Sequence, residues 1–189
     1  MIEIILALLM LLYAPIPWIT ILAHVMVSNK KKVSIAFITL IAIISWIILS
    51  YFTYTYFHII FIQRFNNVLL KVFGIVILLA AFIIESQSRK QLGTSRILGS
   101  SEFKMKEGKL VTSGVYKFAR HPRYVEHPLL FLGFGLIFGY YILLWFSLYL
   151  FLSFSITAYF EEKELLKRFG KAYSEYKKRT PAFFIPFNR

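Results

Sequence analysis

The residues best suited to chemistry form a short polar run inside an apolar chain. Arg120-His121-Pro122-Arg123-Tyr124 is followed by Glu126 and His127, so four ionisable residue types fall within eight positions. Ionisable residues at membrane depth are costly and often functional. A basic collar that extends its charged ends into the lipid head groups, with an interfacial tyrosine, explains the same run without chemistry. The residue types alone leave both interpretations open.

An adjacent acidic pair, Glu161-Glu162, is the second candidate. Neighbouring residues do not share a helix face, so the pair is not predicted to act as a coupled acid and base. The carboxylates could hold a cationic ligand or the hydroxyls of a ribose, or they could be solvated at a helix start. His24 and His58 are isolated in apolar segments and are assigned no role. Because no histidines have metal-ligand spacing and cysteine is absent, no metal site is predicted.

The composition predicts an integral membrane protein. Of the 189 residues, 58% are hydrophobic and 16% are charged, whereas soluble domains have about 45–50% apolar and about 25% charged residues. The apolar composition excludes a disordered chain and argues strongly against a soluble domain. The absence of cysteine excludes a disulfide scaffold and a cysteine nucleophile.

Four apolar segments predict the membrane helices, since a span needs about 20 residues. They are residues 4–27, 33–62, 68–84 and 124–160. The last segment would form a helix of roughly 55 Å at 1.5 Å per residue, against a hydrocarbon core of about 30 Å. We therefore expect a hairpin that turns near Gly139-Tyr140-Tyr141. The predicted fold class is all-α, a multi-span helical bundle with about five transmembrane helices.

The positive charge predicts the orientation of these spans. The net charge is +13, and with five spans 20 of the 22 Lys and Arg residues fall on one face, leaving only Arg64 and Lys71 on the other. The positive-inside rule makes the basic face cytoplasmic and the N-terminus external. Nucleic acid is then not needed to explain the charge and is not a predicted partner. The polar segments 86–123 and 161–189 share the cytoplasmic face, which makes a site built from both geometrically natural.

The polar tail predicts two short helices. Acidic residues precede basic ones after residue 160, as the helix dipole favours. Phe169-Gly170 is a candidate cap or break, and residues 171–178 are expected to form a further helix. Thr180-Pro181 should end it, because the residue before a proline avoids the α region.

These two segments resemble a known family. Leu110-Val111-Thr112-Ser113-Gly114-Val115-Tyr116, followed by Arg120-His121-Pro122 and Tyr124, is similar to the signature of isoprenylcysteine carboxyl methyltransferases and the related phospholipid methyltransferases. The tail resembles the same family in order: Glu161-Glu162, Phe169-Gly170, Tyr173, Tyr176, Lys177-Lys178-Arg179, Pro181 and Pro186. The resemblance covers roughly residues 85–187, about half of the chain.

The resemblance implies S-adenosylmethionine as the methyl donor and a cytoplasmic cofactor pocket in a membrane bundle without a Rossmann-type fold. It divides the chain into N-terminal transmembrane helices, 1–84, and a catalytic methyltransferase region, 85–189. The residues that it assigns to the cofactor pocket are Gly114, Tyr116, His121, Tyr124, Glu161 and Glu162. The candidates for holding anionic groups are Arg120 and Arg179.

The implied acceptor is the carboxylate of a lipid-linked, isoprenylcysteine-type substrate that enters from the bilayer. A terminal carboxylate with a pKa of about 3.5 is already ionised at neutral pH, so its methylation needs no general base. An arginine can orient it through two hydrogen bonds. Glu126-His127 departs from the family pattern, where a small residue or an aromatic is more usual. If Glu126 faces the site it could accept a proton from an amine, which would favour N-methylation.

Three alternatives stay open at this level. The same fold and donor could serve a phospholipid amine or a small thiol. Sterol-type reductases that use NADPH share a stretch like Arg120-His121-Pro122-Arg123-Tyr124, although Glu161-Glu162 suits the methyltransferase pattern better. A structural or lipid-binding bundle is the non-enzymatic alternative. The compact length without a cleavable targeting segment favours a prokaryotic cell membrane; the physiological acceptor and the oligomeric state are not predicted.

Overall fold

The protein is helical throughout its described elements. A computed structural model describes residues 2–28, 32–62, 64–92 and 110–184. Its helices are α1 (Ile2–Tyr13), α2 (Ile16–Ser28), α3 (Lys32–Thr55), α4 (Phe57–Ile62), α5 (Val68–Leu92), α6 (Pro122–Phe138), α7 (Tyr141–Phe169) and α8 (Lys171–Arg179), with a 3₁₀ turn at Gly114–Lys117.

Several helices are long and apolar enough to cross a bilayer. Within the described residues these are three helical stretches, Ile2–Leu22, Val68–Leu92 and Tyr141–Phe169. Their outer surfaces carry large apolar side chains, including Leu69, Phe82 and Trp145, that are at least two-thirds exposed. Such a continuous apolar exterior suits lipid rather than water. The all-α membrane fold class is thereby confirmed, while the count of five spans stays a prediction.

Three predicted segments differ from the observed helices. The segment 33–62 forms α3 and α4, with a turn at Tyr56 between them. The segment 4–27 is two helices, because the chain turns at Ala14-Pro15 between α1 and α2 and proline cannot donate a helical backbone hydrogen bond. In contrast, α5 continues past the predicted end at Ile84 to Leu92. The Arg89 Nε atom lies 2.6 Å from Glu85 Oε1, one helical turn away. The helix therefore continues with polar residues beyond its apolar part.

The predicted hairpin is present, and it turns where the sequence indicated. Helices α6 and α7 are joined at Gly139-Tyr140, where Gly139 has a φ of 77°. A Cβ atom at this position would lie 2.0 Å from the carbonyl oxygen of Phe65, and the Phe65 amide donates to the Gly139 carbonyl at 2.9 Å. The loop before α5 and the hairpin turn therefore share one end of the bundle.

The core lies between the hairpin and α1. Phe131 of α6 and Leu143, Leu150 and Phe154 of α7 are at most 1% exposed, and they form one cluster with Leu6, Ala7 and Met10 of α1. Helices α5 and α6 approach closely at a glycine: a Cβ atom on Gly74 would lie 2.9 Å from the carbonyl oxygen of Gly133. This packing holds the N-terminal ends of α6 and the C-terminal ends of α5 and α7 at the opposite side from the hairpin turn.

The tail folds back onto that opposite side. Helix α7 ends at Phe169, Gly170 takes a φ of 51°, and α8 follows directly until Thr180 adopts an extended conformation. The predicted break, second helix and stop are all confirmed. The result is that α8 lies beside the loop that precedes α6.

Candidate functional site

The loop before α6 is tied to the tail by its backbone and by one arginine. The amides of Arg120 and His121 donate to the carbonyls of Pro181 and Ala182, each at 2.9 Å. The Arg120 guanidinium donates to the carbonyls of Lys177 (3.2 Å) and Thr180. These bonds join two segments that lie about 60 residues apart in sequence.

The earlier part of the loop is fixed between α5 and α8. Ser113 donates to Gln91 Oε1 at 3.0 Å, and a Cβ atom on Gly114, whose φ is 61°, would lie 2.5 Å from Gln91 Nε2. The Tyr176 hydroxyl donates to the carbonyl of Tyr116. Burial, and then the Glu161 carboxylate, raise the pKa of Tyr116, so its hydroxyl stays protonated.

The acidic pair brackets a single imidazole. His121 Nδ1 lies 3.0 Å from Glu161 Oε2, and His121 Nε2 lies 3.3 Å from Glu162 Oε1. The adjacent carboxylates leave α7 in different directions, as expected, but they meet two edges of the same ring.

Glu162 also gathers the cations around it. Its Oε1 atom accepts from Arg120, through Nε at 2.9 Å and through a second guanidinium nitrogen. Its Oε2 atom accepts from Lys177 Nζ at 2.6 Å. Both oxygens of Glu162 are therefore engaged, and its side chain is only 12% exposed.

The charge on His121 follows from this arrangement. Burial opposes the charged form, but the carboxylates of Glu161 and Glu162 outweigh it and raise the pKa of His121. A protonated imidazole donates from both nitrogens, one to each carboxylate. The centre of the site is thus a cation held between two anions.

Aromatic rings extend from this centre along α6 and α7. Tyr124 stacks on His121, with ring centres 5.5 Å apart and planes 4° apart, and on Phe154 at 5.1 Å and 12°. Phe183 lies 6.3 Å from the His121 ring. Flat rings of this kind can accept a planar heterocycle or a cation.

The predicted site residues divide by position. The structure brings Tyr116, Arg120, His121, Tyr124, Glu161 and Glu162 together, with Gly114 on the α5 side of the same loop. Arg179 is different: it is exposed at the end of α8, and its side chain makes no hydrogen bond or ion pair with other described residues. Their roles in binding stay predictions.

Two residues of the site were missed from the sequence. Lys177 was named in the basic run of the tail that resembles the family but was assigned no role, yet it binds Glu162. His24 was assigned no role, yet its Nδ1 atom lies 2.7 Å from Glu164 Oε2 and ties α2 to α7. The sequence signal that could have identified a partner for His24 was Glu164, which lies one turn beyond Glu161 and on the same side of the helix.

Comparison with known proteins gives the family. The family model described as phospholipid methyltransferase matches residues 69–172, more than half of the chain. The chain is also 38% identical over 78 residues to the protein-S-isoprenylcysteine O-methyltransferase of Schizosaccharomyces pombe. That match covers 41% of this chain and 33% of the yeast protein, so the chain matches about a third of the length of that relative. No solved structure gives a significant match. The chain belongs to the phospholipid methyltransferase family.

Proposed function

We propose that this protein is an S-adenosylmethionine-dependent methyltransferase that methylates a lipid-linked acceptor at the cytoplasmic face of a prokaryotic cell membrane. An isoprenylcysteine-type carboxylate is the first candidate acceptor, in keeping with the name of the yeast relative. The observation that carries the proposal is the Glu161–His121–Glu162 arrangement under an aromatic stack, in a chain of this family.

The residues present fit the proposed methyl donor. Glu161 has the more exposed carboxylate of the pair, 21% against 12% for Glu162, which suits it to ribose hydroxyls or to an ammonium group. The aromatic side chains beside the acidic pair, Tyr124 and Phe183, suit the edge of the adenine, and Gly114 and Tyr116 would form the wall. When bound, S-adenosylmethionine supplies a methyl group on a positively charged sulfur.

The chain itself would contribute positioning. An acceptor carboxylate is ionised at neutral pH and needs no base, so holding it in line is the main requirement. Arg120 already serves Glu162 and two carbonyls, and we propose that it acts by fixing the loop. The guanidinium of Arg179 has no partner among the described residues, and we propose that it holds an anionic group of the substrate.

The membrane would deliver the acceptor. The exposed apolar sides of α5 and α7 suit entry of a lipid tail from the bilayer. The basic residues gathered on one face support a cytoplasmic site.

An amine acceptor is a second candidate, which the position of Glu126 favours. Its side chain is 9% exposed and lies one helical turn into α6. A carboxylate at this position can compensate the positive charge of an ammonium group. A carboxylate acceptor carries no positive charge and needs no such partner.

Calorimetric binding of S-adenosylhomocysteine to the protein in detergent tests the proposal, with NADPH measured alongside. We expect micromolar binding of S-adenosylhomocysteine that is lost in Glu161→Gln and kept in Glu175→Gln, an exposed carboxylate on α8 used as the matched control. Binding of NADPH alone would replace the proposal with a reductase. Release of methanol from the methylated product in alkali then identifies a carboxyl ester.

A further inference from the structure

A buried polar pair joins the N-terminal part of the bundle to the helix that carries the acidic pair. His24 of α2 lies with its Nδ1 atom 2.7 Å from Oε2 of Glu164 on α7, and the two side chains are 5% and 11% exposed. We call them the interhelix pair. An ionised carboxylate only accepts hydrogen bonds, so the ring donates from Nδ1. His24 lies outside residues 69–172, which the family model matches, and the proposed methyl transfer has so far given it no role.

Other hydrogen bonds join the same two helices further from the tail. Trp18 Nε1 donates to the Tyr149 hydroxyl at 2.9 Å, and the Thr157 hydroxyl donates to the carbonyl of Pro17 at 3.4 Å. Residue numbers rise in both helices from these bonds to the interhelix pair, so α2 and α7 run parallel. The interhelix pair is therefore the contact nearest to the site among these three.

The end of α7 needs support that the membrane does not give. Helix α7 has 29 residues and is roughly 43 Å long at 1.5 Å per residue, against a hydrocarbon core of about 30 Å. Its last turns, which carry Glu161 and Glu162, therefore extend beyond the hydrocarbon. Helix α2 ends at Ser28, so its own last turn lies beside this part of α7 and can hold it through the interhelix pair.

The interhelix pair acts on the same side of α7 as the candidate donor ligand Glu161. Glu161 and Glu164 are three residues apart, so their side chains leave the helix on one side, one turn apart. Glu161 Oε2 lies 3.0 Å from His121 Nδ1, and Glu164 Oε2 lies 2.7 Å from His24 Nδ1. Two histidines from distant parts of the chain thus hold successive carboxylates of one helical turn. A shift of this turn at Glu164 would move the Glu161 carboxylate relative to the loop before α6.

We propose that His24 is a positioning residue of the candidate donor site. By binding Glu164 it fixes the turn of α7 that carries Glu161, and the affinity for the methyl donor therefore depends on α2. The inference rests on the proposed function for the identity of that ligand. Small displacements of groups that hold a ligand are costly, so His24 can affect binding without touching the donor. The N-terminal helices then contribute to the site as well as to membrane anchoring.

Calorimetric binding of S-adenosylhomocysteine to the full chain in detergent tests this role. His24→Phe keeps a ring between α2 and α7 but removes the donor, and Glu164→Ala removes the acceptor. We expect each to weaken binding about tenfold, within the range of coupling between residues in contact. Glu164→Gln loses the same charge but keeps an acceptor oxygen, so it should bind within about twofold of the wild type.

Trp18→Phe is the matched control, because it removes a bond between the same helices further from the site. It should lower the melting temperature and leave the affinity for S-adenosylhomocysteine unchanged. All affinities are measured well below the lowest melting temperature of the set, so that every protein is folded. If the interhelix pair had only a structural role, affinity at that temperature would be the same in all variants.

Amide hydrogen exchange gives a second measurement that needs no ligand. Exchange reports local opening of a helix, and the segment to follow is residues 158–169, the end of α7. We expect faster exchange there in His24→Phe and Glu164→Ala than in the wild type. Trp18→Phe should leave exchange in this segment unchanged.

The two measurements separate this inference from the proposed function. If S-adenosylhomocysteine binds the wild type, and His24→Phe and Glu164→Ala bind it as tightly, the positioning role is wrong and the methyltransferase stands. An equal loss of affinity in Trp18→Phe also overturns the role, since any loosening of α2 would then suffice. If the wild type does not bind S-adenosylhomocysteine but exchange rises only in the two interhelix-pair variants, the methyltransferase is wrong and the support of α7 by His24 stands. Unchanged exchange in those variants overturns the inference whether or not the ligand binds.

Discussion

Replacing Glu162 by alanine should destabilise the protein severely, because this residue holds three cations. Arg120, His121 and Lys177 all approach its carboxylate. The Arg120 and Glu162 side chains are 8% and 12% exposed, and removing one partner of a buried ion pair costs about 3–5 kcal/mol. Lys177 is 44% exposed, so its share is at most about 1 kcal/mol.

The expected change in melting temperature follows from the size of the chain. For chains of 150–250 residues, 1 kcal/mol corresponds to about 2–4 °C, so we expect Glu162→Ala to lower the Tm by about 6–20 °C. Glu162→Gln keeps the acceptor oxygen and loses the charge, and it should cost less, about 1.5–3 kcal/mol. Tryptophan fluorescence during heating in detergent measures both.

The control for this experiment is Glu175→Ala. Glu175 is exposed on α8, and its loss should change stability by no more than about 0.5 kcal/mol. A double-mutant cycle with Arg120→Met should give a coupling energy of about 0.5–3 kcal/mol. Equal melting temperatures for the Glu162→Ala and Glu175→Ala proteins would refute the view that Glu162 organises the site.

Three further predictions concern the loop before α6. The pKa of His121 is raised in the folded protein. The stabilisation by the protonated imidazole is therefore complete below about pH 6.5 and is lost as the pH rises through the pKa of the folded state. The Tm of the wild type should fall over that pH range more steeply than the Tm of His121→Gln. Gly114→Ala should lower the Tm, since its Cβ meets Gln91 at 2.5 Å. Adding Gln91→Ala should relieve this clash and leave the left-handed backbone cost of about 1–2 kcal/mol and the loss of the hydrogen bond from Ser113. Tyr176→Phe leaves the buried carbonyl of Tyr116 without its donor and should cost about 1–3 kcal/mol in chemical denaturation.

A specific result would contradict each of these three predictions. Equal pH slopes for wild type and His121→Gln would mean that the imidazole is not charged between the carboxylates. A Gly114→Ala defect that Gln91→Ala does not relieve would place the strain in the backbone alone. Tyr159→Phe, which removes the hydroxyl of an exposed tyrosine on α7, is the control for Tyr176→Phe, and equal stabilities would contradict the role of the buried hydrogen bond.

Local signals in the sequence predicted the ends of several elements correctly. Gly139 marks the hairpin turn, Gly170 separates α7 from α8, and Thr180-Pro181 ends α8. In each case the conformation depends on residues next to each other in the chain, which is what a sequence pattern records. The continuation of α5 to Leu92 was missed, because a change in polarity marks the edge of the apolar region and not the end of a helix.

The partners within the site could not be predicted in the same way. His24 and Glu164 are 140 positions apart, and only the packing of α2 on α7 makes them a pair. Arg120 was expected to hold an anionic group of the substrate, yet its nearest anion is Glu162 of the protein itself. The residue types predicted a charged site, but the pairing of its charged side chains depends on the three-dimensional arrangement of the helices.

The backbone bonds between the loop and the tail have a consequence for biosynthesis. The amides of Arg120 and His121 find their acceptors at Pro181 and Ala182, so the ribosome must add about another 60 residues before those acceptors exist. During that interval α6 and α7 can enter the membrane while the polar loop between α5 and α6 still lacks its partners. Membrane insertion of α6 and α7 can therefore precede completion of the site, whose backbone acceptors lie about 60 residues further along the chain.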